Sequence, residues 1–137
     1  MPHTYSTRIY YDETDAGGVV YYGRYLGLLE RARTEFLIDN GISVSEFHDM
    51  GLFFVISHVD IHYRRPARLG DVISITTEVT QVRNASMVLK NCVFRDTILL
   101  VEADVTVACV DRDGRPQRLP DMFRKLLITE PPAKPPE

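Results

Sequence analysis

The run Tyr10–Arg33, YYDETDAGGVVYYGRYLGLLERAR, changes character within a few residues, and the change sets the architecture. Residues 12–18, DETDAGG, are polar and glycine-rich, the composition of a loop. The spacing then predicts a helix over 22–40, with Tyr25, Leu28, Leu29, Ala32, Phe36 and Leu37 recurring on one face. Gly41 follows Asn40 and supplies the stop. Upstream, residues 6–11 (STRIYY) read as a short strand. Downstream, residues 43–51 read as a turn or two of helix, with Ser43 and Glu46 in capping-box spacing.

From residue 53 the period falls to two. Val55, Val59, Ile61 and Tyr63 alternate with polar neighbours, so 53–65 reads as a strand that stops before Pro66. Strands follow over 71–83, 86–96 and 98–111. The short gaps near Asn84 and at Asp96–Thr97 favour antiparallel hairpins. A last helical turn opens at Pro120 and Asp121. One long helix with one antiparallel five-stranded sheet makes an α+β domain, and the helix is the only large apolar element able to cover the sheet. The expected arrangement is a single domain over 1–128, the sheet curled about the helix, followed by a disordered proline-rich tail over 129–137.

Composition excludes several classes. The 137 residues suffice for one core. Apolar residues at 45% and charged residues at 26% are ordinary globular usage. A net charge of −3 offers no global field for nucleic acid or anionic membrane, so an anionic ligand needs a local basic cluster. No stretch approaches the ~18 apolar residues of a membrane helix, and MPHTYSTRIYY has no apolar signal core. The expectation is a soluble, cytoplasmic protein. Cys92 and Cys109 lie in apolar β-like runs and read as buried structural thiols rather than a disulfide framework.

The chemistry concentrates in the loop. Asp12, Glu13 and Asp15 precede the pair Gly17–Gly18 and then a helix start. Glycine lets a ligand approach the main chain, and a helix start offers unpaired N–H groups and a positive dipole end that can polarise a carbonyl. A carboxylate beside that end stays ionised, as a base or nucleophile must. On the residues alone, the same carboxylates also serve as caps and as loop solvation.

The run TDAGGVVYY, the YL three residues on, ERAR at 30–33, FV at 54–55 and PARL at 66–69 closely resemble the YbgC-like branch of the 4-hydroxybenzoyl-CoA thioesterase family. The resemblance covers about residues 5–128. It implies a hotdog fold and hydrolysis of an acyl-CoA to a carboxylic acid and CoA, with no cofactor. It places the catalytic aspartate on Asp15 and the carbonyl-polarising backbone N–H on Tyr22. Tyr11, Gly18 and Arg83 are carried over as substrate-binding positions, Arg83 because this hairpin approaches CoA in related thioesterases. Asp12→Asn and Glu13→Gln are expected to be much milder than Asp15→Asn. Many YbgC-like proteins have histidine where this chain has Tyr22, and only the backbone role survives that change. The resemblance further implies a two-fold homodimer, often doubled to a homotetramer, in which each site is completed by the neighbouring chain, with an acyl carrier protein as a second potential partner.

Two rival readings stand beside it. A hotdog dehydratase needs a catalytic histidine near an acid, and none lies within 10–35. A non-catalytic module binding acyl-CoA or acyl carrier protein would share every motif and lack turnover. His58, Asp60 and His62 share one strand face and could hold a metal, but read better as a solvated or interfacial face, so no metal is expected. Arg64, Arg65 and Arg68 form a basic knot around Pro66 that could meet phosphates.

Overall fold

The computed structural model describes residues 2–127. The chain runs β1 (His3–Arg8), a 3₁₀ turn at Tyr11–Glu13, α1 (Arg24–Asp39), α2 (Val44–Asp49), β2 (Phe53–Tyr63), β3 (Val72–Val82), β4 (Ser86–Arg95), β5 (Ile98–Val110) and α3 (Asp121–Arg124). The five strands form one sheet in the order β1-β3-β4-β5-β2, and every pairing is antiparallel. This is the expected α+β hotdog arrangement, with one 16-residue helix and two short ones. The proposed tail over 129–137 lies outside the described residues.

The core sits between α1 and the inner face of the sheet. Tyr25, Leu28, Leu29, Ala32, Phe36 and Leu37 are the buried residues of α1, as their spacing requires. They meet Ile73, Ile75, Val79, Met87, Leu89, Val93, Val101, Ala103, Val105 and Val107, which alternate with outward residues along β3, β4 and β5. Leu28 and Leu29 are each 1% exposed, and burying such a side chain stabilises by about 1.5–3 kcal/mol. Among the described residues, no helix is long and apolar enough to cross a membrane.

Four expectations shift in detail. β1 occupies His3–Arg8 rather than 6–11, because Ile9 is held by the Asp71 carbonyl and Tyr11 then enters the 3₁₀ turn. α1 begins at Arg24, two residues late, because Tyr21 and Tyr22 accept i→i+3 bonds from Arg24 and Tyr25 before the α-helical ladder starts. In β2 a bulge between Ile56 and His58 flips the alternation. Phe54, Val59 and Ile61 therefore pack on the core, while Val55 is 44% exposed. Cys109 is buried, but Cys92 is only half-buried. Desolvation raises both thiols above their usual range.

Candidate active site

The loop between β1 and α1 is a tight double-back. Thr14 bridges Val20, Asp15 N–H donates to the Val19 carbonyl at 2.9 Å, and Gly18 N–H returns to the Asp15 carbonyl at 3.0 Å. Gly18 sits at φ +79°, where a side chain would be strained, so the chain reverses there at little cost. The Gly18 carbonyl also accepts the Leu69 N–H at 3.0 Å.

Asp15 stands at the exposed tip. Its Oδ1 accepts the Gly17 N–H at 2.8 Å. Among the described residues its Oδ2 has no hydrogen-bond partner. A Cβ at position 17 would lie 3.3 Å from Oδ1, so glycine there gives the carboxylate its room. Asp15 shares an open cavity of about 440 Å³ with Asp12, Thr14, Tyr21, Gly23 and Arg24. The start of α1 thus lines the same cavity as the carboxylate. Gly23 occupies the N-cap without a side-chain cap, and among the described residues the N–H groups of Tyr22 and Gly23 reach no acceptor. The helix start, with its orphan donors and the positive end of its dipole, therefore borders the same cavity as an ionisable oxygen.

Several contacts fix this helix start. The Tyr63 hydroxyl donates to the Tyr22 carbonyl at 3.1 Å, and its ring packs on Tyr25 at 5.4 Å. The buried Tyr25 hydroxyl accepts the Ala67 N–H at 3.0 Å. Desolvation raises both phenols, so both remain protonated across the neutral range. Tyr22 itself stacks on Tyr21 at 4.6 Å and is 66% exposed. Tyr11 is 81% exposed at the start of the 3₁₀ turn.

The basic knot at 64–68 lies against this loop. Val20 N–H donates to the Ala67 carbonyl and Val19 bridges Arg68. Arg64 pairs with Glu102 at 2.8 Å, whereas Asp71 is held by the Arg68 N–H and by Arg95 at 2.9 Å. Burial alone would raise the Asp71 carboxyl, but those two donors outweigh it and hold it below the usual carboxylate range. Arg83 is elsewhere. It follows β3, whose opposite end, Val72, pairs Arg8 beside the loop. The strand between spans roughly 35 Å, so within one protomer Arg83 does not reach Asp15. His62 and Asp60 approach to 3.1 Å on an exposed face beside His58.

Two features escaped the sequence. Glu13 is not a solvated loop carboxylate: it is 4% exposed. A cavity of about 370 Å³ also opens along α1, lined by Leu26, Gly27, Leu29, Phe54, Val59 and Phe123 among others, with Glu30 and Arg33 at its wall. Phe54 lines it, whereas its neighbour Phe53 packs with His48 and Arg112. The signal for this cavity was Gly27, an unexplained glycine inside a helix.

The sequence model of the thioesterase superfamily matches residues 17–102, a span that begins two residues after Asp15. The acyl-CoA thioesterase YbgC of Haemophilus influenzae is 41% identical over 109 residues, covering 79% of this chain and 80% of its own. The acyl-CoA thioester hydrolase YbgC of Escherichia coli O157:H7 is 42% identical over 115 residues, covering 82% and 86%. The crystal structure of a probable thioesterase from Bartonella henselae superimposes with a TM-score of 0.82 at 34% identity, covering 88% of this chain and all of that one.

Proposed function

The chain belongs to the thioesterase superfamily and is a thioester hydrolase; from that premise we propose that it cleaves an acyl-CoA to a free carboxylic acid and CoA, with Asp15 as its reacting carboxylate. The observation that carries this is the cavity that Asp15, its Oδ2 unpartnered among the described residues, shares with the uncapped start of α1. The thioester carbonyl oxygen accepts from the Tyr22 N–H, which becomes a stronger partner as negative charge develops there. Asp15 Oδ2 then either attacks the carbonyl carbon, expelling CoA thiolate and leaving a mixed anhydride for water to open, or takes a proton from an attacking water. Neither route uses the Tyr22 side chain, so tyrosine in place of the commoner histidine is compatible with both. The acyl group has room in the apolar cavity along α1.

The proposal extends to the assembly. β2 is an edge strand, paired on one side only, and such an edge invites a second copy. Two-fold antiparallel pairing of β2 sets its Phe53 end against the other copy's Tyr63 end. The Phe53 end lies with Val110 and Ser86, close to Arg83, so the partner's Arg83 arrives at the Asp15 end. That is the arrangement in which Arg83 can meet CoA. The acyl-CoA substrate sets the expected location in the cytoplasm, and an acyl carrier protein would present the same thioester.

The test is a hydrolysis screen over short, long and aromatic acyl-CoAs, with free CoA titrated by a thiol reagent. Wild type should turn over at least one class, and Asp15→Asn should lower kcat by ~10²–10⁴, the range for a lost acid/base group. Equal turnover by Asp15→Asn would refute the assignment. After a single turnover in ¹⁸O water, label in Asp15 marks direct attack with the anhydride opened at its aspartyl carbon, the product acid then carrying an Asp15 oxygen.

A further inference from the structure

The polar loop hides a buried anchor. Glu13 is the one buried charged residue among those described. Its Oε1 accepts the Tyr10 N–H at 2.8 Å, and its own N–H donates to the Tyr10 carbonyl at 3.0 Å. Its carbonyl accepts the Tyr21 N–H at 3.1 Å. Its Oε2 faces the Arg31 guanidinium, from the second turn of α1, at 3.8 Å. One residue therefore ties the turn that leads into Asp15 to the residue that precedes Tyr22, and turns its carboxylate toward an arginine side chain of α1.

Solvation does not account for a carboxylate in this place. A buried charge is tolerated only where partners replace its water, and an exposed loop that merely had to turn would leave the carboxylate in solvent. What the arrangement accomplishes is placement. Asp15 is two residues beyond Glu13, and Thr14 between them is tied back by its N–H and hydroxyl to the Tyr11 carbonyl. The side chain thus fixes the near end of the Asp15 loop, while the main chain of the same residue fixes the approach to Tyr22.

We infer that Glu13 is a positioning residue, whose carboxylate holds Asp15 at its working distance from the Tyr22 N–H. This rests on Asp15 acting in hydrolysis. It concerns reach rather than charge: what the loop needs is an acceptor oxygen long enough to meet the Tyr10 N–H. A glutamine supplies that oxygen. An aspartate, one methylene shorter, does not.

Steady-state kinetics on an acyl-CoA accepted by the wild type test this, each variant being assayed well below its own melting temperature. Glu13→Gln should keep kcat within about threefold. Glu13→Ala and Glu13→Asp should lower kcat by roughly 10–100-fold with KM within about twofold, since misplacement of a reacting group by about 1 Å can cost 10²-fold. In the Asp15→Asn background Glu13→Ala should cost nothing more, because nothing remains to be positioned. Should Glu13→Ala fail to fold, Glu13→Asp carries the test in both backgrounds. Wild-type kcat in folded Glu13→Asp, or a full multiplicative loss in the double variant, overturns the inference. Full activity in Asp15→Asn would overturn the catalytic reading and this inference together, so the two failures are distinguishable.

Discussion

Replacing Gly27 by leucine separates two roles for this glycine. As a helix-interior residue it costs stability: glycine is about 1 kcal/mol worse than alanine there, and leucine is close to alanine. Nothing lies within 4 Å of a Cβ built at Gly27, so a side chain enters open space rather than a clash. Gly27→Leu should therefore raise stability by roughly 1 kcal/mol, or about 3–5 °C in Tm for a domain of this size. That open space, however, belongs to the cavity along α1 of about 370 Å³, one turn beyond Gly23, which lines the Asp15 cavity. A leucine side chain there takes the room of several methylenes, each worth about 0.8 kcal/mol on burial. For an acyl chain that loses three of them, the expected loss is about 2.4 kcal/mol, some 50-fold in kcat/KM. An acetyl group does not extend that far and should be hydrolysed as before. The assay is kcat/KM across a series of straight-chain acyl-CoAs for wild type, Gly27→Ala and Gly27→Leu, with Tm measured alongside. A stabilised variant whose activity falls equally on all chain lengths, or on none, would show that the acyl group does not occupy this cavity.

Further outcomes follow from the same geometry. Tyr63→Phe removes the hydroxyl that fixes the Tyr22 carbonyl and should cost about 0.5–1.5 kcal/mol of stability with a several-fold drop in kcat; an unchanged kcat would detach Tyr63 from the site. Because the Asp71 carboxyl is depressed in the folded state, its contribution to stability is present above the unfolded carboxylate pKa of about 3.9 and is lost as pH falls through the lower folded value. Acid unfolding should accordingly shift to higher pH in Arg95→Met, and denaturation curves between pH 2 and 6 check it; coincident curves for the two proteins would refute the coupling. Mixing Asp15→Asn subunits with Arg83→Ala subunits after reversible dissociation should regenerate activity, since a mixed dimer carries one site with both residues intact. A protein that is monomeric and fully active at nanomolar concentration would remove the shared site altogether.

The fold was legible because its signals are periodic. Six apolar residues at helical spacing named the buried face of α1, and the alternation over 72–110 named three strands to within a residue or two. The misses fall where tertiary contacts override the period. A bulge at Ser57 turned Val55 outward, and pairing with β3 drew β1 toward the N-terminus. In the site, the motif pointed to Asp15 and Tyr22, but local spacing could not reveal that the basic knot at 64–68 packs on the loop, a contact made across nearly fifty residues.

Glu13 was misjudged for a related physical reason. Sequence pattern assigns burial by polarity, and a carboxylate within DETDAGG is polar among polar neighbours. Burial here follows from geometry: the Tyr21 N–H bonded to the Glu13 carbonyl draws the 3₁₀ turn against the approach to α1, and the side chain at its third position meets the Tyr10 N–H and Arg31. Asp12, one residue earlier, points the other way and stays exposed, with its carbonyl accepting from Arg24 at 3.2 Å. Adjacent acids in one short loop thus divide by direction, Glu13 holding the turn and Asp15 left free at the tip. Asp12→Asn should accordingly leave kcat within about twofold, since its side chain is exposed and such surface changes stay within about 0.5 kcal/mol. A loss at Asp12 as large as that at Asp15 would mean that the loop presents two working carboxylates instead of one.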